Sequence, residues 1–216
     1  MCYIKLEHIK KQYNKEQVLF NDLCLDINKG EFIGLIGKSG AGKTTLLNII
    51  GLITDISEGT IQIDNYTKLT MYSKNALLLR RYTIGYLFQN YGLIEDESVL
   101  WNLKLALEYK RISKKEKLER IERYLNKFGL IDVSNKKVYQ LSGGEQQRIA
   151  IIKLILQESK IILADEPTSG LDKDNELIVM SLLQSLNKEG VTIIMVTHNL
   201  NLCKYFTKTV DVEVYR

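Results

Sequence analysis

Residues 37–44 read GKSGAGKT, a run that fits the pattern G-x-x-x-x-G-K-[ST]. The apolar run FIGLI at 32–36 precedes it, and a helix-forming stretch at 44–52 follows. Strand, glycine loop and helix in that order form the context in which such a loop wraps phosphate groups. Gly37, Gly40 and Gly42 let the backbone curl, so that N–H groups along Lys38, Ser39 and Ala41 point inward. Lys43 then supplies positive charge to the β- and γ-phosphates of a nucleoside triphosphate. The Thr44 hydroxyl is placed to ligate Mg²⁺, with Thr45 completing the binding set.

Downstream positions extend this site. IILADE at 161–166 is an apolar strand ending in two carboxylates. Asp165 is placed to hold Mg²⁺ through its water shell, and Glu166, one residue past the strand, to polarise an attacking water. In isolation two such acids read as a solvated strand end; after a phosphate loop the catalytic reading wins. Gln89 follows a strand expected at 84–88, where it can touch Mg²⁺ or the lytic water and report nucleotide state to the residues beyond. His198 follows a strand expected at 191–196 and is placed to meet the γ-phosphate. Tyr13 either stacks on a base or covers a sheet edge, and stacking is the expectation. His8, the other histidine, is assigned no role.

A second glycine-rich stretch, LSGGEQQR at 141–148, puts Ser142, Gly143 and Gly144 at a helix start. That is an anion site with no ligand of its own nearby in sequence. A chain carrying half of each of two sites is expected to work as a pair.

Taken together and in this order, with LADEPTSGLD at 163–172, these residues resemble the nucleotide-binding domain of an ABC (ATP-binding cassette) ATPase. The resemblance runs from Tyr13 to the last strand. LSGGEQQR is specific to that superfamily, whereas the phosphate loop is shared with many NTPases. It implies an α/β P-loop NTPase core with an N-terminal antiparallel β subdomain and an inserted α-helical subdomain. It implies ATP and Mg²⁺ as cofactors, and a head-to-tail homodimer or a pair with a second such ATPase. ATP then sits between the 37–44 loop of one subunit and Ser142–Gly144 of the other. Tyr13 goes to adenine, Gln89 and Asp165 to the metal region, Glu166 serves as general base, Asp172 as a cross-interface residue, and His198 as γ-phosphate sensor. The implied partner is an integral membrane permease, with no nucleic acid, and the implied location is cytoplasmic, on the inner face of the cell membrane.

The run IGYLFQNYGLIEDESV at 84–99, with the compact length, is similar to the macrolide-exporter and lipoprotein-release branch, and within it to bacteriocin-export ATPases. That implies ATP-driven export through a separate permease. The alternative is a mechanical ATPase that signals through a membrane partner to a cell-wall enzyme. A soluble ABC protein acting on DNA or ribosomes is disfavoured, since no second cassette is visible. There are departures. Lys153 stands where the family usually carries arginine, and lacks its forked donors. Trp101 stands where glutamate is common. Residues 90–96 are the candidate docking groove.

Composition bounds the rest. The 216 residues, 45% hydrophobic and 26% charged, are enough for one domain with an insertion. The expected division is a core of 1–89 and 158–216 and a helical insert of 90–157. Three scattered cysteines show neither a disulfide framework nor metal-ligand spacing, so a reducing compartment is expected. No signal peptide is apparent, and apolar runs such as VTIIMV at 191–196 are strand length. The net charge is +4, but ten Lys/Arg against four Asp/Glu crowd residues 109–137. That region reads first as a solvated helical surface and second as a face toward anionic lipid.

Helices are expected at 73–81, 98–111, 114–129, 141–157 and 175–187, the third opened by a Ser113-Lys-Lys-Glu116 capping box. A final helix and strand lead to the last residue. Strands alternating with helices point to a largely parallel sheet.

Overall fold

The computed structural model describes residues 2–14 and 17–215. Alternating apolar positions make β1 (Cys2–Gln12) and β2 (Val18–Asn28) an antiparallel pair, joined on the other side of β1 by β4 (Glu58–Ile63). Leu23, Leu25 and Ile27 turn inward while Asp22, Cys24 and Asp26 stay exposed, the period-two pattern of a sheet with one covered face.

The second sheet is parallel, in the order β5 (Ile84–Leu87), β6 (Ile161–Asp165), β7 (Thr192–Val196), β3 (Phe32–Ile36), β8 (Lys208–Asp211). β6 and β7 are buried at every position, as strands covered on both faces must be. One apolar cluster joins this sheet to the antiparallel sheet and to α1 (Lys43–Ile50). Another packs its other face against α5 (Gly143–Gln157) and α6 (Lys173–Lys188).

Between β5 and β6 the described residues form no strand. α3 (Val99–Ala106), α4 (Lys114–Lys127) and α5 enclose a third cluster around Leu103, Leu125 and Ile152. α5 serves two cores. Ala150, Ile151 and Leu154 face the sheet, while Ile149, Ile152 and Leu156 face the other helices. A helix apolar all round is a buried helix, and each fully buried Leu or Ile contributes about 1.5–3 kcal/mol.

Three expectations need correction. The helix expected to run to 111 stops at Ala106. Its chain tightens through Leu107 N–H to Lys104 O, and Tyr109 swings to meet the Tyr82 ring edge-on at 6.3 Å beneath the Arg81 guanidinium. Ser113 does cap α4 through Glu116 N–H, but Glu116 turns its carboxylate to Arg120 at 2.9 Å instead of closing the box. The charge-assisted bond to the guanidinium outcompetes a neutral backbone donor. The final helix is a 3-10 segment, Leu200–Tyr205, and β8 is followed by another, Val212–Tyr215.

Candidate nucleotide site

β6, β7 and β3 are neighbours, and Asp165, Val196 and Leu35 sit at one level in the register. The segments leaving these strands therefore meet at one edge of the sheet, the carboxyl edge where parallel sheets bind ligands. Those segments carry Glu166, His198 and the 37–44 loop.

The loop curls as its glycines allow. Gly42 takes φ 95°, and a Cβ there would lie 2.8 Å from the Phe20 ring, so no other residue fits. Lys43 is buried, and its Nζ donates to Gly37 O at 2.7 Å and Lys38 O at 2.8 Å. Lys38 N–H is held by Glu213 at 2.6 Å, which anchors the loop's outer limb to the C-terminal 3-10 segment. Ala41 is buried, whereas Ser39 and Gly40 face the cleft.

That cleft has a volume of about 550 Å³, lined by Tyr13, Gln17, Leu19, the loop and α1, Glu166 and His198. The Tyr13 hydroxyl lies 3.1 Å from Thr45 Oγ1, Lys11 Nζ sits 5.1 Å from its ring centroid, and the side chain is 57% exposed. An open aromatic ring tethered at its hydroxyl is a platform for a base.

Thr44 donates its hydroxyl to Asp165 at 3.0 Å. Burial pushes the Asp165 carboxyl above the usual range, the Thr44 hydrogen bond pulls it back, Glu166 raises it further, and Lys43 opposes that. Glu166 occupies left-handed backbone, φ 45°, immediately before the chain's single proline. Such a conformation costs of order 1–3 kcal/mol and persists where surrounding bonds fix it. Here Glu166 N–H donates to Val196 O at 3.1 Å and its carbonyl accepts from Ser169 N–H at 3.0 Å. The result aims Oε2 at His198 Nδ1, 3.3 Å away.

Gln89 leaves the same edge from the neighbouring strand: β5 is parallel to β6, with two strands between it and β3, and its last residue, Leu87, pairs with Ala164, one level short of Asp165. Gln89 is exposed there and does not line the cleft.

Ser142, Gly143 and Gly144 also stand outside the cleft. Ser142 caps α5, accepting from Glu145 N–H, and the Glu145 carboxylate accepts from Ser142 N–H at 2.8 Å. These bonds hold the Glu145 carboxyl below its ordinary range, the backbone donor most and the hydroxyl next. Asp172 caps α6 by accepting from Asn175 N–H at 2.8 Å. Asn175 also donates to Asp172 and accepts from Arg148 at 2.9 Å. Gly144 lies so close to Asn175 that a Cβ would come within 2.7 Å of its Oδ1. The two helix starts are thus tied together.

Sequence reasoning missed this tie, along with Gln17 and Leu19. It also missed buried Asn102, which holds Ile94 N–H, Ile94 O and Ser98 O. The Ser142-x-x-Glu145 box was visible as a pattern; the others depend on contacts between distant segments. Lys153 donates to Gly92 O at 2.8 Å, and burial lowers its pKa. Asn102 and Lys153 together fix the 90–96 loop to the helices.

Residues 20–169 match the family described as ABC transporter, and the chain belongs to that family. It is 39% identical over 198 residues to the uncharacterized ABC transporter ATP-binding protein YknY of Bacillus subtilis, covering 90% of this chain and 86% of that protein. It is 36% identical over 210 residues to the macrolide export ATP-binding/permease protein MacB of Campylobacter jejuni, covering 97% of this chain and 33% of MacB. The chain thus spans a third of MacB, and the likeness supports the macrolide-export branch. The dimeric ATP-binding cassette MJ0796, in a post-hydrolysis state bound to ADP and Pi, superposes with a TM-score of 0.87 at 34% identity. It covers 97% of this chain and 95% of that one. The protein is an ABC ATPase of α/β fold.

Proposed function

We propose that this chain is the ATP-hydrolysing subunit of an exporter and that it works in pairs, each subunit completing its neighbour's site. The observation that carries the reading is the separation of the two glycine-rich stretches. The cleft gathers Tyr13, Lys43, Thr44, Glu166 and His198 from one chain, with Asp165 behind Thr44 at 3.0 Å, while Ser142–Gly144 do not line it.

In the proposed reaction Tyr13 holds the base and Lys43 the terminal phosphates. Glu166 takes a proton from water as that water attacks the γ-phosphorus, the β–γ bridging P–O bond breaks, and ADP and phosphate leave. His198 orients Glu166 and meets the γ-phosphate. The Thr44 hydroxyl and Asp165 carboxylate are hard oxygen donors of the kind Mg²⁺ takes, which fits that ion. Held by these two residues, Mg²⁺ would supply positive charge against the phosphates. Gln89, at the hinge into the 90–157 helical insert, is assigned to report nucleotide state. Asp172 is assigned to the subunit interface; within its own chain it accepts from Asn175, which in turn accepts from Arg148.

The cargo in this reading is of the macrolide, lipoprotein or bacteriocin peptide class, and export through a separate membrane permease is supported by two likenesses. One is to proteins named for macrolide export; the other is to YknY, most of whose length this chain matches. Among the described residues no helix is long and apolar enough to cross a membrane. In this reading the subunit sits on the cytoplasmic face, with 90–96 as its docking groove.

The paired site is tested by sedimentation of Glu166→Gln with ATP and Mg²⁺. A dimer is expected, and it should be lost in Glu166→Gln/Ser142→Arg, which still binds a fluorescent ATP analogue. A monomeric Glu166→Gln, or a dimer indifferent to Ser142→Arg, overturns the reading.

A further inference from the structure

We infer that the outer face of the β1–β2 hairpin is a binding site for one zinc-class divalent ion, ligated by His8, Asp22 and Cys24. These three side chains are exposed, and one ligand atom of each lies within 4.8 Å of the others. They form the one such group of His, Cys, Asp or Glu among the described residues.

The grouping follows from how the two strands are built. Asp22 and Cys24 flank buried Leu23, so both project outward from β2. His8 sits beside buried Ile9 on β1, where the register slips between Leu6 and Ile9. His8 and Asp22 both adopt left-handed backbone, φ 52° and 69°, which tilts the two side chains toward each other. His8 Nδ1 meets Asp22 Oδ1 at 2.6 Å and lies 4.0 Å from Cys24 Sγ. The His8 backbone N–H donates to the same sulfur at 3.3 Å, a bond that steadies a thiolate.

Imidazole nitrogen, carboxylate oxygen and thiolate sulfur are the donors zinc takes, at about 2.0–2.3 Å, and three protein ligands leave a fourth position for water. Tetrahedral bonds of that length put ligand atoms about 3.3–3.7 Å apart. The 2.6 Å His8–Asp22 contact has to open by about 1 Å, and the longer separations, which reach no more than 4.8 Å, have to close by up to about 1.5 Å, which exposed side chains do by rotation. On binding, the Cys24 thiol proton leaves to solvent, and the His8 proton moves to Nε2 so that Nδ1 is free to coordinate. The far end of this hairpin carries Tyr13 and Leu19 into the nucleotide cleft, and the ion would clip the edge strand β2 to β1. None of the three ligands lines that cleft.

The test uses the full chain without nucleotide, titrated with Co²⁺ and then competed with Zn²⁺. One Co²⁺ should bind with a thiolate-to-cobalt charge-transfer band and the intense visible bands of a tetrahedral site, and one Zn²⁺ should displace it. Cys24→Ser should remove the charge-transfer band, and Cys2→Ser and Cys203→Ser should keep it. His8→Gln and Asp22→Asn should each weaken binding by about tenfold or more. Thermal transitions confirm that the variants fold, with Cys24→Ala as a second removal of the sulfur. A wild-type chain without the band, a band that survives Cys24→Ser or Cys24→Ala, or affinities unmoved by His8→Gln and Asp22→Asn would overturn the site.

Discussion

The phosphate loop and the LSGGEQQR stretch are both glycine-rich, and both open a helix, yet they sit in opposite surroundings. Around 37–44 the chain supplies its own walls: Tyr13 on one side, Glu166 and His198 on another, Glu213 behind. Around 142–144 the described residues supply support, with the Tyr91 hydroxyl beside Gly143, and none of the three lines the cleft. Asn175 and Arg148 back the helix start, and Glu145 closes the cap. The first region is a site within the chain. The second is a rigid tool held out on a helix shared by two cores. A helix terminus becomes an anion site only when a ligand is brought to it, and here the fold brings none.

Chemistry should fail most when the enclosed region is touched. Glu166→Gln keeps the shape and removes the base, so steady-state ATP turnover should fall by roughly 10²–10⁴-fold with nucleotide affinity retained. A drop in affinity of similar size would mean that Glu166 holds the nucleotide, and the contrast between enclosed chemistry and projected tool would lose its first half.

The enclosed region was also the more legible one. Strand, loop and helix lie in sequence order at 32–50, and the sheet merely sets β6 and β7 beside them. The readings of Asp165, Glu166 and His198 needed only that each follow a buried strand. Gln89 follows a strand too, and β5 is the parallel neighbour of β6, but where its side chain goes depends on the loop beyond Leu87, which strand order does not give. The helical region was harder for a related reason. Past the end of α3, Tyr109 meets Tyr82 and Arg81, and Glu116 pairs with Arg120. Partners of this kind lie too far away in sequence, or compete too closely, for a local pattern to rank them. The Asp172–Asn175–Arg148 tie joins two helices separated by a strand, and nothing periodic announces it.

The helical part of the chain that carries the projected stretch is tested at Asn102, which holds the 90–96 loop to α3. Its amide satisfies Ile94 N–H, Ile94 O and Ser98 O from a fully buried position. Asn102→Ala leaves buried backbone groups unpaired and should cost about 2 kcal/mol. Hydrogen exchange should place the loss in residues 90–106 and leave β3 and α1 protected. Equal loss in both regions would show that the helical part and the sheet unfold as one unit.

The smallest effect belongs to the cap itself. Ser142→Ala removes the side-chain acceptor for Glu145 N–H and the hydroxyl bond to its carboxylate, and should cost about 1 kcal/mol at neutral pH. The Glu145 carboxyl is held below its ordinary value in the folded chain, so its contribution is present above the ordinary value and is lost as pH falls through the lowered one. The Ser142 backbone N–H, the larger cause of that lowering, survives the substitution. The gap between wild type and Ser142→Ala should therefore narrow on acidification without closing, because the acceptor for Glu145 N–H is absent at every pH. Denaturant unfolding from neutral pH to well below the ordinary glutamate range measures it. A gap that is flat with pH would mean that Glu145 draws nothing from the hydroxyl. The projected helix start would then rest on its backbone bonds and on Asn175, and the serine would be kept for the neighbour's ligand alone.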